Sequence, residues 1–190
     1  MITLPTLVLA SGSPRRSEIM NSVGWTFTKD VPDIDESELD GENPEAYVQR
    51  LAKEKAEAVA PSHPGEIILA ADTTVVIDGH IIGKPTDVDD ARRMIRMLSG
   101  NWHEVLTGIA VMKDSRVDVG LQRTRVKFAA MNDAEIEFLV EKGDPLDKAG
   151  AYAVQAQAAV FIEGIEGDYW NVVGLPISLV YRMIVRLSSE

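Results

Sequence analysis

One long run of apolar and β-branched residues, EIILAADTTVVIDG at 66–79, constrains the fold of this chain more than any other stretch. Its composition predicts a buried strand that continues past Asp72, and Asp78-Gly79 is a hairpin signal leading into HIIGK. A carboxylate within such a strand is costly unless a cation, a metal or hydrogen-bond donors meet it. Asp72 is therefore either a functional carboxylate or one that caps the end of the strand.

The other segments alternate between β-rich runs and stretches of helical period, without repeats or a long linker. Strands are predicted at 6–10, 25–29, 102–112 and 117–129, with a short hairpin at about 158–172. Helices are predicted at 13–24, from Pro44, from a capping-box-like start at Thr86 and Asp89 to Gly100, from Asn132 to about 142, and from Pro176. This order predicts the α/β class, with a mixed twisted sheet flanked by helices.

Composition excludes several classes of function. The chain has 190 residues, no cysteine and a net charge of −11. Without cysteine there are no disulfides and no thiolate chemistry, and the cytoplasm is the expected location. The acidic balance argues against nucleic acid and anionic membranes as partners, and no apolar run approaches the ~18 residues of a membrane span. A small anionic ligand would therefore need a local basic pocket.

The segment LASGSPRR at 9–16 offers such a pocket. Ser11 and Ser13 stand where a strand meets a helix, and unpaired N–H groups at a helix start favour an anion. The positive charges of Arg15 and Arg16 are unfavourable beside the positive end of that helix unless an anion binds there as well. The pair is therefore either a phosphate-binding corner or a solvated basic turn.

Further candidates lie elsewhere in the chain. Lys55 falls on the apolar stripe of the second helix, and Lys84 follows the hairpin. Each of these lysines either binds a ligand through its ammonium or extends its ammonium into water. Glu36, in the acidic loop 30–44, could share a divalent ion with Asp72, or could simply be solvated. With no cysteine and scattered histidines, such an ion would be Mg²⁺ or Mn²⁺. Gln155, beside apolar residues, is suited to reading the edge of a base.

Seven short motifs follow one another in order between about residues 7 and 182. They are LASGSPRR, RLAKEKA, AADTTVV, GKP, LSGNWHEVLTG, PLDKAGAYAVQ and VVGLP. Together they resemble the Maf family of nucleoside triphosphate pyrophosphatases. The resemblance implies a single domain at 1–190 with two lobes around a cleft, similar to the inosine triphosphate pyrophosphatases. It also implies a divalent cation as cofactor and a homodimer.

The same resemblance assigns roles to particular residues. It implies that Asp72 is the proton acceptor and that Asp72 and Glu36 hold the metal. The substrate-binding positions that it implies are Arg15, Arg16, Lys55, Thr73, Lys84 and Gln155, and Ser11 and Ser13 of the corner between strand and helix are predicted to bind substrate with them.

Three of these positions separate the subfamilies. Arg15, Thr73 and Gln155 together resemble the members that hydrolyse dTTP and UTP. The alternatives are a pyrophosphatase for another nucleotide, such as 7-methyl-GTP or an inosine-type triphosphate, and a nucleotide-binding regulator of cell division.

The chain departs from the family around the glutamine. Relatives usually carry glycines where this chain has Ala153, Ala156 and Ala158. Alanine at any of these positions would be strained if the backbone there required a positive φ.

Overall fold

A seven-stranded sheet runs through the computed structural model, which describes residues 4–188. In chain order the strands are β1 (Leu7–Ala10), β2 (Phe27–Asp30), β3 (Ile67–Ile77), β4 (His80–Ile82), β5 (Trp102–Lys113), β6 (Arg116–Phe128) and β7 (Ile162–Glu166). Their order in the sheet is β2-β1-β3-β5-β6-β7, and β4 pairs with β3. β1 runs parallel to β2 and β3, whereas β4 is antiparallel to β3 and β7 to β6. The predicted mixed sheet is confirmed.

Helices begin and end where local signals place them. They are α1 (Pro14–Ser22), α2 (Pro44–Val59), α3 (Val88–Leu98), α4 (Asp133–Lys142), α5 (Tyr169–Val173) and α6 (Ile177–Ser188). Before α4, the side chains of Asn132 and Glu135 each accept a hydrogen bond from the other's backbone N–H, which is a complete capping box. After α1, Gly24 has a φ of 73°, as a helix-ending glycine requires. Between residues 4 and 188, no helix is long and apolar enough to cross a membrane.

Two local predictions were wrong. The segment predicted as a hairpin at 158–172 contains one strand, β7, which pairs with β6, and the short helix α5. Residue alternation indicates a strand but not its partner, and here the partner lies about 40 positions earlier in the chain. At the start of α3, Asp87 rather than Thr86 is the cap, because its side chain accepts from the backbone N–H of Asp90.

The chain divides into two compact units. Unit 1 contains the residues up to Asp72, Thr107–Gln122 and the residues from Gly174, and unit 2 contains Thr73–Leu106 and Arg123–Val173. The predicted single domain at 1–190, with a cleft between two lobes, stays a prediction.

In unit 1, α2 packs against the sheet through small residues. Ala52 and Ala56 lie in one buried cluster with Ala10, Ala70 and Ala110 of β1, β3 and β5. The contact is so close that a Cβ added to Gly108 of β5 would lie 2.1 Å from the carbonyl oxygen of Val48. This packing determines the height of α2 above the strands.

In unit 2, α3 and α4 pack against each other. Arg92 of α3 donates to Glu137 of α4, with Nη2 2.9 Å from Oε2. Three rings form a second buried group: Tyr152 lies edge-on to both His103 of β5 and Phe128 of β6, at centroid distances of 5.4 and 5.0 Å. These contacts anchor the loop around residue 150 to two strands.

Candidate active site

Asp72, in the middle of β3, has the charged partner that its burial requires. Its Oδ1 accepts a hydrogen bond from Nζ of Lys55 at 2.7 Å. The same ammonium lies 2.7 Å from Oε1 of Glu36. The side chains of Lys55 and Asp72 are 9% and 11% exposed, whereas that of Glu36 is 50% exposed. Lys55 therefore bridges a buried carboxylate and a carboxylate at the surface.

The corner between β1 and α1 is built around the buried guanidinium of Arg16. Its Nη1 donates to Oγ of Ser11 at 2.9 Å, and its Nε donates to the carbonyl of Gly174 at 3.0 Å. Oγ of Ser11 also accepts from the backbone N–H of Ser13 at 3.2 Å. The side chain of Ser13 makes no capping hydrogen bond to α1. The first turn of α1 contains no acidic residue, so its positive end carries no negative side chain of its own.

The charges of this corner and of the carboxylate pair act on one another. Burial lowers the pKa of Arg16, while the negative charge of Asp72 acts in the opposite direction. Arg15 lowers this pKa as well, and Glu36 raises it. Unit 1 therefore brings together Arg15, Arg16 and Lys55 with Glu36 and Asp72, an excess of one positive charge. Such a group favours a polyanion.

The remaining predicted residues belong to unit 2. Thr73 directly follows Asp72 and is half-buried, while Lys84 and Gln155 are exposed. The backbone N–H of Gly150 donates to the carbonyl of Gly83 at 3.0 Å, which ties the segment before Lys84 to the loop that leads to Gln155. The predicted participation of these three residues in one site with Asp72 stays a prediction.

The loop that carries Gln155 rests on a buried histidine that the sequence analysis did not single out. Nε2 of His103 lies 2.7 Å from the hydroxyl of Tyr152, and burial lowers the pKa of His103 to about 4. The imidazole is therefore neutral at pH 7. An isolated histidine in a β-rich run carries no sequence signal of this contact.

The alanines that replace family glycines are not in strained conformations. The non-glycine residues with positive φ among those described are Asp78, Asp114, Asp144 and Ala151. Ala153, Ala156 and Ala158 are not among them, and Ala156 has a φ of −119°. The strain considered for these three positions does not occur.

Tyr47 and Arg50 are functional candidates that the sequence analysis missed. The hydroxyl of Tyr47, on α2, donates to the carbonyl of Glu36 at 3.0 Å. Arg50 donates to the carbonyl of Ser37 at 2.9 Å and to the carboxylate of Glu42. A tyrosine and an arginine three positions apart, directly after an acidic loop, are the available sequence signal.

Known proteins resemble this chain over nearly its whole length. The family described as Maf-like protein matches residues 6–187. A dTTP/UTP pyrophosphatase of Koribacter versatilis is 48% identical over 95% of this chain and 93% of its own length. Proteins with the same name from Anaeromyxobacter dehalogenans and Chromobacterium violaceum are 51% and 50% identical, over 96% and 97% of this chain and 94% and 96% of their own.

A solved structure, the Ham1 protein of Staphylococcus aureus, has a TM-score of 0.51 to this chain. The match covers 83% of this chain and 91% of that protein at 15% sequence identity, so it concerns the fold alone. The α/β fold expected from the sequence is confirmed by this likeness and by the sheet described above. With a family match from residue 6 to residue 187 and curated relatives about half identical to it, this chain belongs to the Maf family.

Proposed function

We propose that this chain hydrolyses dTTP and UTP to the nucleoside monophosphate and pyrophosphate. The observation that carries the proposal is the group in unit 1, in which Lys55 bridges Asp72 and Glu36 and the charges of Arg15 and Arg16 lie close by. A polyphosphate needs several cations, and its hydrolysis needs a carboxylate that can accept a proton. The identity of the substrates, dTTP and UTP, is proposed from the relatives that are named dTTP/UTP pyrophosphatase.

The corner before α1 is the proposed phosphate site. Arg16 is committed to Ser11 and Gly174, so its role is to hold the corner in shape and to supply charge. Arg15, half-buried beside it, is the arginine proposed to contact phosphate oxygens. Ser13 contributes a hydroxyl at the start of the helix. Lys84 is proposed as a further phosphate-binding cation, as the family resemblance implies.

The donor atoms fit a divalent cation that arrives with the nucleotide. Asp72 and Glu36 offer carboxylate oxygens, the ligands that Mg²⁺ and Mn²⁺ prefer. Among residues 4–188, no group of three or more His, Cys, Asp and Glu is arranged to hold a metal. Two carboxylates bind such an ion weakly, so phosphate oxygens are needed to complete its ligands. A cation held by Asp72 and Glu36 would neutralise phosphate charge and polarise the phosphoryl group.

Asp72 is the proposed general base. Its carboxylate takes the proton from the water attacking the α-phosphorus, while Lys55 holds Oδ1. Attack in line with the bond between the α-phosphorus and the bridging oxygen places pyrophosphate on the opposite side as the leaving group. Lys55, which touches both carboxylates, keeps them together before substrate binds.

Selection of the base is proposed to depend on Thr73 and Gln155. Thr73, next to the proposed base, and Gln155, on the loop anchored by Tyr152 and His103, are the positions that with Arg15 resemble the dTTP/UTP type. The amide of Gln155 offers one donor and one acceptor to a pyrimidine edge.

Product analysis tests this function. The protein is incubated with Mg²⁺ and dTTP, UTP, CTP, GTP, 7-methyl-GTP or ITP at equal concentrations, and both products are quantified. We expect pyrophosphate and the monophosphate, with dTTP and UTP turned over fastest. Release of inorganic phosphate would overturn the assignment of the bond, and preference for 7-methyl-GTP or ITP would overturn the assignment of the substrate.

Asp72→Asn tests the base. The amide keeps the shape of the side chain but cannot accept the proton, so kcat should fall about 10²- to 10⁴-fold. Binding of UTP, measured by calorimetry, should persist. The control is Asp89→Asn on α3, where the carboxylate is 92% exposed and pairs with Arg92. Turnover by Asp72→Asn at the rate of this control would remove Asp72 from the chemistry.

We further propose that the protein works in the cytoplasm as a homodimer. The absence of cysteine agrees with a reducing compartment. The dimer rests on the family resemblance, and light scattering should give twice the mass of one chain.

A further inference from the structure

The loop that carries Glu36 needs to be held in place. Six acidic residues lie between positions 33 and 42, and most of this segment has no regular secondary structure. Their mutual repulsion favours an open loop. Yet Oε1 of Glu36 lies 2.7 Å from the buried ammonium of Lys55. One contact by a side chain that is 50% exposed cannot fix a loop of this charge.

Two side chains of α2 hold the backbone at Glu36 itself. The hydroxyl of Tyr47 donates to the carbonyl of Glu36 at 3.0 Å, and Nη2 of Arg50 donates to the carbonyl of the next residue, Ser37, at 2.9 Å. The backbone N–H of Ser37 donates to Oδ1 of Asp35 at 2.9 Å. The peptide groups that follow Glu36 and Ser37 are therefore both held by hydrogen bonds. Because the backbone at Glu36 is held, the direction in which its side chain leaves the backbone is held as well.

Arg50 is itself immobilised. Its Nε and Nη2 each lie 2.7 Å from a carboxylate oxygen of Glu42, at the other end of the loop, and its Nη1 donates to Glu54 at 3.1 Å. Its guanidinium carbon lies 5.7 Å from the centre of the Tyr47 ring. A planar guanidinium held in this way keeps its geometry, which a lysine could not reproduce. Arg50 thus ties both Ser37 and Glu42 to α2.

Tyr47 remains a donor over the whole working range of pH. Burial and the negative charges of Asp72 and Glu36 raise its pKa to about 12. The hydroxyl is therefore protonated at neutral pH, and the bond to the carbonyl of Glu36 persists.

We infer that Tyr47 and Arg50 are positioning residues that set the carboxylate of Glu36 beside Asp72 for the cation and triphosphate. The inference rests on the proposed function. The helix that supplies Lys55 also supplies both residues that hold the loop, so Glu36 is placed relative to α2 before any ligand binds. Without them, binding a ligand would have to order the loop, and affinity would fall.

Tyr47→Phe is the first test, because it removes only the hydroxyl and keeps the ring beside Arg50. We expect amide hydrogen exchange of residues 35–38 to accelerate in the ligand-free protein. The Mg²⁺ concentration for half-maximal rate should rise about 2- to 10-fold, the range that one net hydrogen bond allows, with kcat at saturating Mg²⁺ retained. The matched control is Tyr181→Phe on α6, which should change neither quantity.

Arg50→Lys is the second test. It keeps the charge but loses the paired N–H donors that reach Ser37 and Glu42. The rate of hydrogen exchange at residues 35–38 and the Mg²⁺ concentration for half-maximal rate should therefore both rise by more than in Tyr47→Phe. Its control is Arg93→Lys on α3, where the arginine forms a similar fork with Asp90. Equal behaviour of Arg50→Lys and this control would overturn the inference.

A double-mutant cycle shows whether Tyr47 acts through Glu36. If it does, Glu36→Gln combined with Tyr47→Phe has the same Mg²⁺ dependence as Glu36→Gln alone. Additive effects would mean a merely structural role and would overturn the inference. Hydrogen exchange is measured without nucleotide, so it tests the hold on the loop even if the wild-type protein releases no pyrophosphate, a result that would refute the proposed function instead.

Discussion

Arg16 illustrates how much a single side chain can organise. Only 8% of its surface is exposed, and its hydrogen bonds join Ser11, five positions earlier, to Gly174, 158 positions later. The sequence raised two possibilities for the arginine pair, a solvated turn or an anion site. The burial of Arg16 contradicts the solvated turn for this residue. The phosphate role of Arg15 stays a prediction.

Arg16→Lys tests this organising role. A lysine keeps the charge but cannot direct two donors at Ser11 and Gly174, so hydrogen bonds to these two acceptors are lost. We expect the free energy of unfolding to fall by about 1–3 kcal/mol and the affinity for UTP to weaken. Urea denaturation and calorimetry measure the two effects. An unchanged unfolding midpoint, equal to that of the Arg93→Lys control, would contradict the role given to Arg16.

Helix α2 is the element on which the site depends most. It supplies Lys55 to the carboxylates and Tyr47 and Arg50 to the acidic loop. Its height above the sheet is set where Gly108 of β5 meets Val48. Glycine is required there because of a close backbone approach rather than because of its φ. Periodicity predicted α2 and its apolar stripe, but not which strand would lie beneath it.

Gly108→Ala should therefore affect both stability and activity. The added Cβ would lie 2.1 Å from the carbonyl of Val48, so α2 or β5 must move. We expect a loss of about 1–3 kcal/mol or more in the free energy of unfolding, and a lower kcat because Lys55 is displaced from Asp72. Gly164→Ala in β7 is the control, since its Cβ would meet Trp102 at an ordinary 3.6 Å. Equal stability of the two variants would show that the close approach is unimportant.

At the scale of the whole molecule, charge is distributed unevenly. The chain carries −11 in total, while the group around Asp72 has three cations against two carboxylates. This contrast favours a small anionic ligand, and the expected absence of nucleic-acid binding stays a prediction. In unit 2, by contrast, the titratable group His103 is buried and uncharged at neutral pH.

His103 makes stability depend on pH. Its pKa is lowered by burial to about 4, below the value of 6.5 in an unfolded chain. Between these values the unfolded chain binds the proton more readily, so stability should rise with pH, and His103 should contribute about 2 kcal/mol more at pH 7 than at pH 5. Urea denaturation at the two pH values measures this difference.

The double variant His103→Phe/Tyr152→Phe is the comparison, because it removes the titrating group together with its partner. Its stability should depend less on pH by about the same 2 kcal/mol. The pKa of His63 is raised by Glu66 and Asp30, so its contribution to stability has the opposite pH dependence and is lost as pH rises. It is present in both proteins and cancels in the comparison. An equal pH dependence in both would refute the assignment to His103.

Local signals account for what could be predicted. The caps at Asn132 and Glu135, the turn at Asp78-Gly79 and the glycine ending α1 each depend on residues within a few positions, and all are present. Of the two failed predictions, the cap at Thr86 was one position off, whereas the hairpin at 158–172 required choosing a strand partner. β7 pairs with residues 125–128 of β6, a choice that depends on the whole sheet.

The sequence by itself determined the alternation of strands and helices, the buried position of Asp72 and the family to which the chain belongs. These follow from side-chain pattern, backbone chemistry and motifs that are readable within short windows. Only the tertiary structure decided that Lys55 bridges Asp72 and Glu36, that Arg16 reaches Gly174, and that Tyr47 and Arg50 hold the acidic loop. Such contacts join residues from distant parts of the chain, and their partners are selected by how the elements pack rather than by their neighbours in sequence.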